Sequence, residues 1–72
     1  METFTYAITD LNTYQSEPIA IALEREEALE FGIRMARELA ASEPALLSKG
    51  LCITVCDNEG DSISIVPLDR VQ

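Results

Sequence analysis

Four residues able to do chemistry stand within six positions of one another: Cys56, Asp57, Glu59 and Asp61, in the stretch TVCDNEGDSISIV at 54–66. Three readings suit such a set. Alternating acids can hold a calcium ion, a thiol can act as a nucleophile, and Asp, Asn and Gly can turn a hairpin. A calcium loop needs acids at its positions 1, 3 and 5, glycine at 6 and a bidentate glutamate at 12. Asp57, Glu59 and Asp61 have the first spacing. Ser62 and Leu68 occupy positions 6 and 12, however, and the glycine, Gly60, comes at position 4. A reactive thiol needs a base or a positive setting, whereas the acids beside Cys56 oppose thiolate. The hairpin remains, with Gly60 as its left-handed residue, and no metal site is expected.

No other constellation carries chemistry. The chain has no histidine, so the usual general base is missing. Neither a P-loop nor a G-x-G-x-x-G motif occurs. The expectation is a protein that is not an enzyme, with no catalytic residues and no cofactor. Cys52 and Cys56 would lie about 13 Å apart on one strand, at ~3.3 Å per residue. A disulfide spans roughly 4.4–6.8 Å between Cα atoms, so the two thiols stay free. Free thiols fit a reducing cytosol. A basic, apolar secretory leader is not seen, nor is a run near the ~20 apolar residues of a membrane span. These features predict a cytoplasmic protein.

The elements that must position these residues follow from periodicity. TFTYAIT (3–9) alternates, with Phe4, Tyr6 and Ile8 on one face, and predicts a half-buried strand. A turn-rich loop to Pro18 leads into IAIAL (19–23), a second strand with Ile19, Ile21 and Leu23 on one face and alanines on the other. EREEALEFGIRMARELAAS (24–42) predicts a helix. Ala28, Phe31, Gly32, Met35 and Leu39 form its apolar stripe, widened by Leu29, Ile33, Ala36 and Ala40. Gly32 in mid-helix costs about 1 kcal/mol against alanine unless a close contact uses its missing side chain, so a strand is expected to cross there. Pro44 ends the helix. ALLSK (45–49) adds a helical turn closed by Gly50 in the left-handed region. LCITVCD (51–57) predicts a third strand with Leu51, Ile53 and Val55 inward. SISIVPL (62–68) predicts a fourth, with Ile63 and Ile65 in the core and Pro67 marking an edge or strand end. Residues 69–72 read as a tail.

The fold class expected is therefore α+β: one domain over residues 1–72, ordered β-β-α-β-β. A mainly antiparallel four-stranded sheet carries one long helix packed on one face. The other face, with Thr3, Thr5, Ala7, Ala20, Ala22, Cys52, Thr54, Cys56, Ser62 and Ser64, should be flat and semi-polar. It is either solvated or a docking face. Thr5, Ala7, Cys52, Thr54 and Cys56 are the candidates for a homodimer through it, since a chain this short holds little core and small scaffolds commonly need a partner.

Thirteen acids face five bases, a formal net charge of -8. Direct binding to nucleic acid or an anionic membrane requires a positive surface and is not expected. A basic protein partner is. Two acid clusters are its candidate contacts: Glu24, Glu26, Glu27 and Glu30 at the helix start, and Asp57, Glu59 and Asp61 at the hairpin tip. Each also has a plain structural use, as charge favourable to the helix dipole or as solvated turn residues.

EEALEFGIRMARELA (26–40), ITVCDNEGDSISIVP (53–67) and the strand FTYAI together resemble a family of short bacterial β-β-α-β-β proteins of unknown function. That family has an alanine-rich helix, a small break, and a D-x-x-G hairpin ending in V-P; Gly32 stands where it prefers alanine. The resemblance implies a fold and brings no function. In type rather than motif, a very small, acidic, histidine-free α+β chain is similar to phage-encoded anti-CRISPR inhibitors, some of which occupy basic DNA-binding grooves. That likeness implies an inhibitor or regulator docking on a basic, nucleic-acid-handling complex by local mimicry of DNA charge. The alternative is a self-assembling structural module that dimerises through the open sheet face.

Overall fold

The computed structural model describes residues 1–70; Val71 and Gln72, expected to belong to a tail, lie outside the described residues. Strands β1 (Glu2–Thr9), β2 (Ile19–Leu23), β3 (Cys52–Cys56) and β4 (Ser62–Pro67) form one antiparallel sheet in the order β2-β1-β3-β4. Helix α1 (Arg25–Ser42) packs on one face, mainly across β1, β3 and β4. The fold is small, compact and α+β.

Phe4 and Tyr6 of β1, and Ile53 and Val55 of β3, are fully buried beneath the helix. Tyr6 joins the layers. Its hydroxyl donates to the Ala28 carbonyl at 2.7 Å, and its ring lies 5.1 Å from that of Phe31, tilted at 59°. Burial pushes the Tyr6 phenol pKa up, because an ionised phenolate is poorly solvated inside. Gly32 sits where the expected crossing falls. A Cβ there would stand 3.1 Å from Val55 Cγ2, 3.5 Å from Tyr6 Cε2 and 3.7 Å from Val66 Cγ2. Ala28 and Ala36, one turn to either side, are buried too, so a strip of small residues lets the helix lie low on the sheet. Leu29, expected within the apolar stripe, is 46% exposed and faces outward.

Past the helix, Pro44–Lys49 winds as a 3-10 helix and Gly50 closes it at φ 67°. Leu68, expected as the last residue of the fourth strand, instead opens a further 3-10 turn, Leu68–Arg70, which takes in the start of the expected tail. It is fully buried, and its N–H donates to the Leu51 carbonyl at 3.1 Å.

The phase of β4 differs from the sequence expectation. Next to the turn, Cys56 pairs with Ser62; from Val55 onward the pairs are Val55–Ser64, Thr54–Ile65 and Ile53–Val66. Continued without interruption, the first register would set Ile63 opposite Val55 and Ile65 opposite Ile53, in the core. A β-bulge adds one residue to β4 and flips the facing of every residue beyond it. Val66 takes the core position, while Ile63 and Ile65 stand 39% and 48% exposed. Ser64 belongs to the helix side with Val55, not to the open face.

The loop between β1 and β2 is organised by Asp10. Its Oδ1 accepts the N–H groups of Asn12, Thr13 and Tyr14 at 2.8–3.0 Å. These bonds, that from Tyr14 first, hold the Asp10 pKa below the usual carboxylate range. Within that loop Leu11 adopts φ 63°, a region that side chains other than glycine's rarely enter.

Candidate functional site

The hairpin tip is built around one carboxylate. Asp57 Oδ1 accepts the N–H groups of Glu59 and Asp61, each at 3.0 Å. The main chain closes the turn through Asp57 N–H to the Asp61 carbonyl at 2.9 Å and Gly60 N–H to the Asp57 carbonyl at 3.0 Å. Gly60 takes φ 86°, the left-handed conformation that a turn of this kind requires. Asp57 is only 8% exposed. It was a candidate partner contact, yet it is buried and one of its two oxygens is taken up by the turn. Glu59 and Asp61 remain exposed. The three side chains bring one oxygen each within 4.8 Å of one another.

Arg25, the first helical residue, ties this tip to the helix start. Its Nε and Nη2 donate to the two Glu2 oxygens at 3.0 and 2.8 Å, a bidentate pair. Nη2 also lies 3.9 Å from Asp57 Oδ2, and the guanidinium is stacked 5.6 Å from the centre of the Phe4 ring. Glu2 first, then Asp57 and Glu59, push the Arg25 pKa up. Sequence reasoning missed Glu2 and Arg25. Glu2 opens β1, and only its pairing with Leu23, the last residue of β2, sets it beside the first helical turn.

Glu24, Glu26, Glu27 and Glu30 are all exposed. Glu24 caps the helix: its N–H donates to Glu27 Oε1 at 3.3 Å, and the N-terminal ammonium approaches its carboxylate at 3.7 Å. The fold therefore brings the two acid clusters, remote in sequence, to the same end of the molecule, with Arg25 between them.

The open face is less open than its composition suggested. Ala7 and Cys52 are 6% and 4% exposed, and Thr5, Thr54 and Cys56 are half-buried. The β1–β2 loop folds back beside it: residues Leu11 to Gln15 and Thr54 line one hollow, and Thr9 Oγ1 donates to the Tyr14 carbonyl at 2.6 Å. The Cys52 thiol donates to the Thr9 carbonyl at 3.4 Å. Burial, and then the Asp10 charge, push its pKa up. Both cysteines are free. Ile65 and Pro67 share this face through their pairing with Thr54 and Cys52, so one side of it is apolar rather than flat and semi-polar.

Among the described residues, no helix is long and apolar enough to cross a membrane. Comparison with protein-family models, curated proteins and solved structures gives no match.

The geometry separates a structural acid from the exposed ones. Asp57→Ala removes the acceptor for two turn N–H groups and should cost about 1–2 kcal/mol, the scale of losing a helix cap. Asp57→Asn keeps an oxygen there and should cost less. Glu59→Ala and Asp61→Ala should stay within about 0.5 kcal/mol of the parent. Urea midpoints for the four variants check the order.

Proposed function

We propose that the protein is a non-catalytic binding module whose acidic end docks on a basic, nucleic-acid-handling protein, acting as its inhibitor or regulator. The observation that supports this is the contact between the two acidic segments: Arg25, at the helix start beside Glu24, Glu26 and Glu27, lies 3.9 Å from Asp57 of the hairpin that carries Glu59 and Asp61. Arg25 is already engaged by Glu2, so it does not cancel the excess of exposed negative charge. Asp57 supports the surface from beneath and is not itself a contact. Carboxylates carried on a helix end and a tight hairpin present charge to lysine and arginine side chains without ordering a loop first. Complementary charge of this kind also accelerates encounter.

The test is an affinity pull-down from host lysate at about 0.1 M salt, where the Debye length is ~10 Å, and again at about 0.5 M. The reading expects one stoichiometric basic partner, held at low salt and lost at high salt. It also expects that partner to be lost when Glu59 and Asp61 are both changed to lysine. Binding that ignores both the salt and the charge reversal would sink the proposal.

A further inference from the structure

The two edges of the sheet are not alike. β4 carries a bulge and ends in Pro67, two devices that block strand addition. β2 carries neither. Its five residues, IAIAL, hold no charge, in a chain whose net charge is -8.

Main-chain directions along β2 follow from β1. The Ile8 N–H donates to Ser16 Oγ at 2.9 Å, and the Ile8 carbonyl accepts the Ser16 N–H at 2.8 Å, so even-numbered β1 residues point towards β2. The carbonyls of Ala7 and Thr9 point towards β3, where they accept from Thr54 and Cys52. Tyr6 pairs with Ile19 and Phe4 with Ile21. By the antiparallel alternation, Ile19, Ile21 and Leu23 bond inward to β1, while the N–H and C=O groups of Ala20 and Ala22 point out from the edge. The side chains agree with this. Helix α1 lies mainly over the other three strands, and Ile19 is left 52% exposed, with Ile21 and Leu23 only half-buried. A β-branched strand with bare apolar side chains and outward main-chain groups is half of a pairing.

We infer that a second copy of this chain supplies the other half, β2 against β2 antiparallel about a two-fold axis at Ile21, giving one continuous eight-stranded sheet. The strand is close to a palindrome. The axis sets Ile21 against Ile21, Ile19 against Leu23, and Ala20 against Ala22 of the partner, so apolar meets apolar on the helix side and small meets small on the other. Each Ala20–Ala22 pair exchanges two main-chain hydrogen bonds. On a strongly acidic molecule, this strip itself brings no like charges together across the pairing. The interface is distinct from the acidic end and from the open sheet face.

The experiment is sedimentation of the full chain at about 10–500 µM in about 0.5 M salt, where the ~4 Å Debye length weakens charge-driven contacts. The parent is expected to be a dimer, held as tightly as at low salt or more so. A20E combined with A22E opposes like charges across the axis and should raise the dimer dissociation constant at least ~10-fold. A20K combined with A22E opposes unlike charges and should restore it. Both positions are exposed on an edge, and circular dichroism confirms that each variant stays folded. A parent that is monomeric throughout, or a dimer indifferent to A20E/A22E, overturns the inference. If A20E/A22E does not fold, A22P decides instead: it removes an outward N–H without touching the β1 ladder, and a dimer that survives it overturns the inference equally.

Discussion

Tyr6→Ala should lower the melting temperature by about 15–30 °C, the largest single-residue effect in the domain. The cost of deleting a fully buried aromatic ring is about 3–5 kcal/mol, and in a chain of this size each kcal/mol moves the midpoint by roughly 4–8 °C. The site cannot collapse to fill the gap, because the ring is held on one side by Phe31 and bears on the Gly32 backbone on another. Tyr6→Phe isolates the hydroxyl. It gives up the 2.7 Å bond to the Ala28 carbonyl, about 1 kcal/mol, while that carbonyl keeps its partner within the helix. The pH dependence has a definite sign. The folded-state phenol pKa is raised by burial and the unfolded one stays near 10, so Tyr6 contributes its full stability below about pH 10. That contribution is lost as pH climbs from there through the folded value. Alkaline melts of the parent should therefore steepen above about pH 10, and those of Tyr6→Phe should do so less. Differential scanning calorimetry from pH 7 to 11 reads both effects.

The parts of this fold that were legible in the sequence are those set by local rules. The phase of β1, the helix, the crossing at Gly32, the left-handed Gly50 and Gly60, and the edge position of Pro67 each follow from periodicity or backbone sterics. β4 was not legible, for a physical reason. Ser-Ile-Ser-Ile reads as perfect alternation, and the turn at Asp57–Gly60 fixes a register that would bury both isoleucines. Only the bulge between Cys56 and Val55 reverses this, and a bulge of one residue leaves no mark in hydrophobic period. The acidic end was half legible. The two clusters stood out by composition, but that they meet depends on Arg25 reaching both Glu2 and Asp57. Pairing across distant segments sets that, and no window of sequence contains it. The acids worth testing as contacts are accordingly fewer than composition implied: Glu59 and Asp61 at the tip, without Asp57.

Gly32→Leu should destabilise the domain by about 3 kcal/mol, the upper end of the cost of overpacking, whereas Gly32→Ala should lie close to neutral. The contrast comes from two opposed terms. Replacing a mid-helix glycine by alanine gains about 1 kcal/mol of helix propensity. Against it stands the contact geometry: the new methyl would sit 3.1 Å from Val55 Cγ2, so Val55 must yield by a few tenths of an ångström. A single methyl leaves these terms nearly balanced. A leucine keeps most of the propensity gain but adds three carbons in a space bounded by Val55, Tyr6 and Val66, and the helix can accommodate them only by lifting off the sheet. Lifting α1 would also stretch the Tyr6–Ala28 hydrogen bond and draw Arg25 from Glu2, so the variant should lose order at the acidic end as well as stability. Urea unfolding gives the first effect. The second would appear as faster amide exchange at Glu59 and Asp61, whose N–H groups depend on Asp57. A stable Gly32→Leu variant with those amides still protected would mean that the helix does not bear on the sheet at this point.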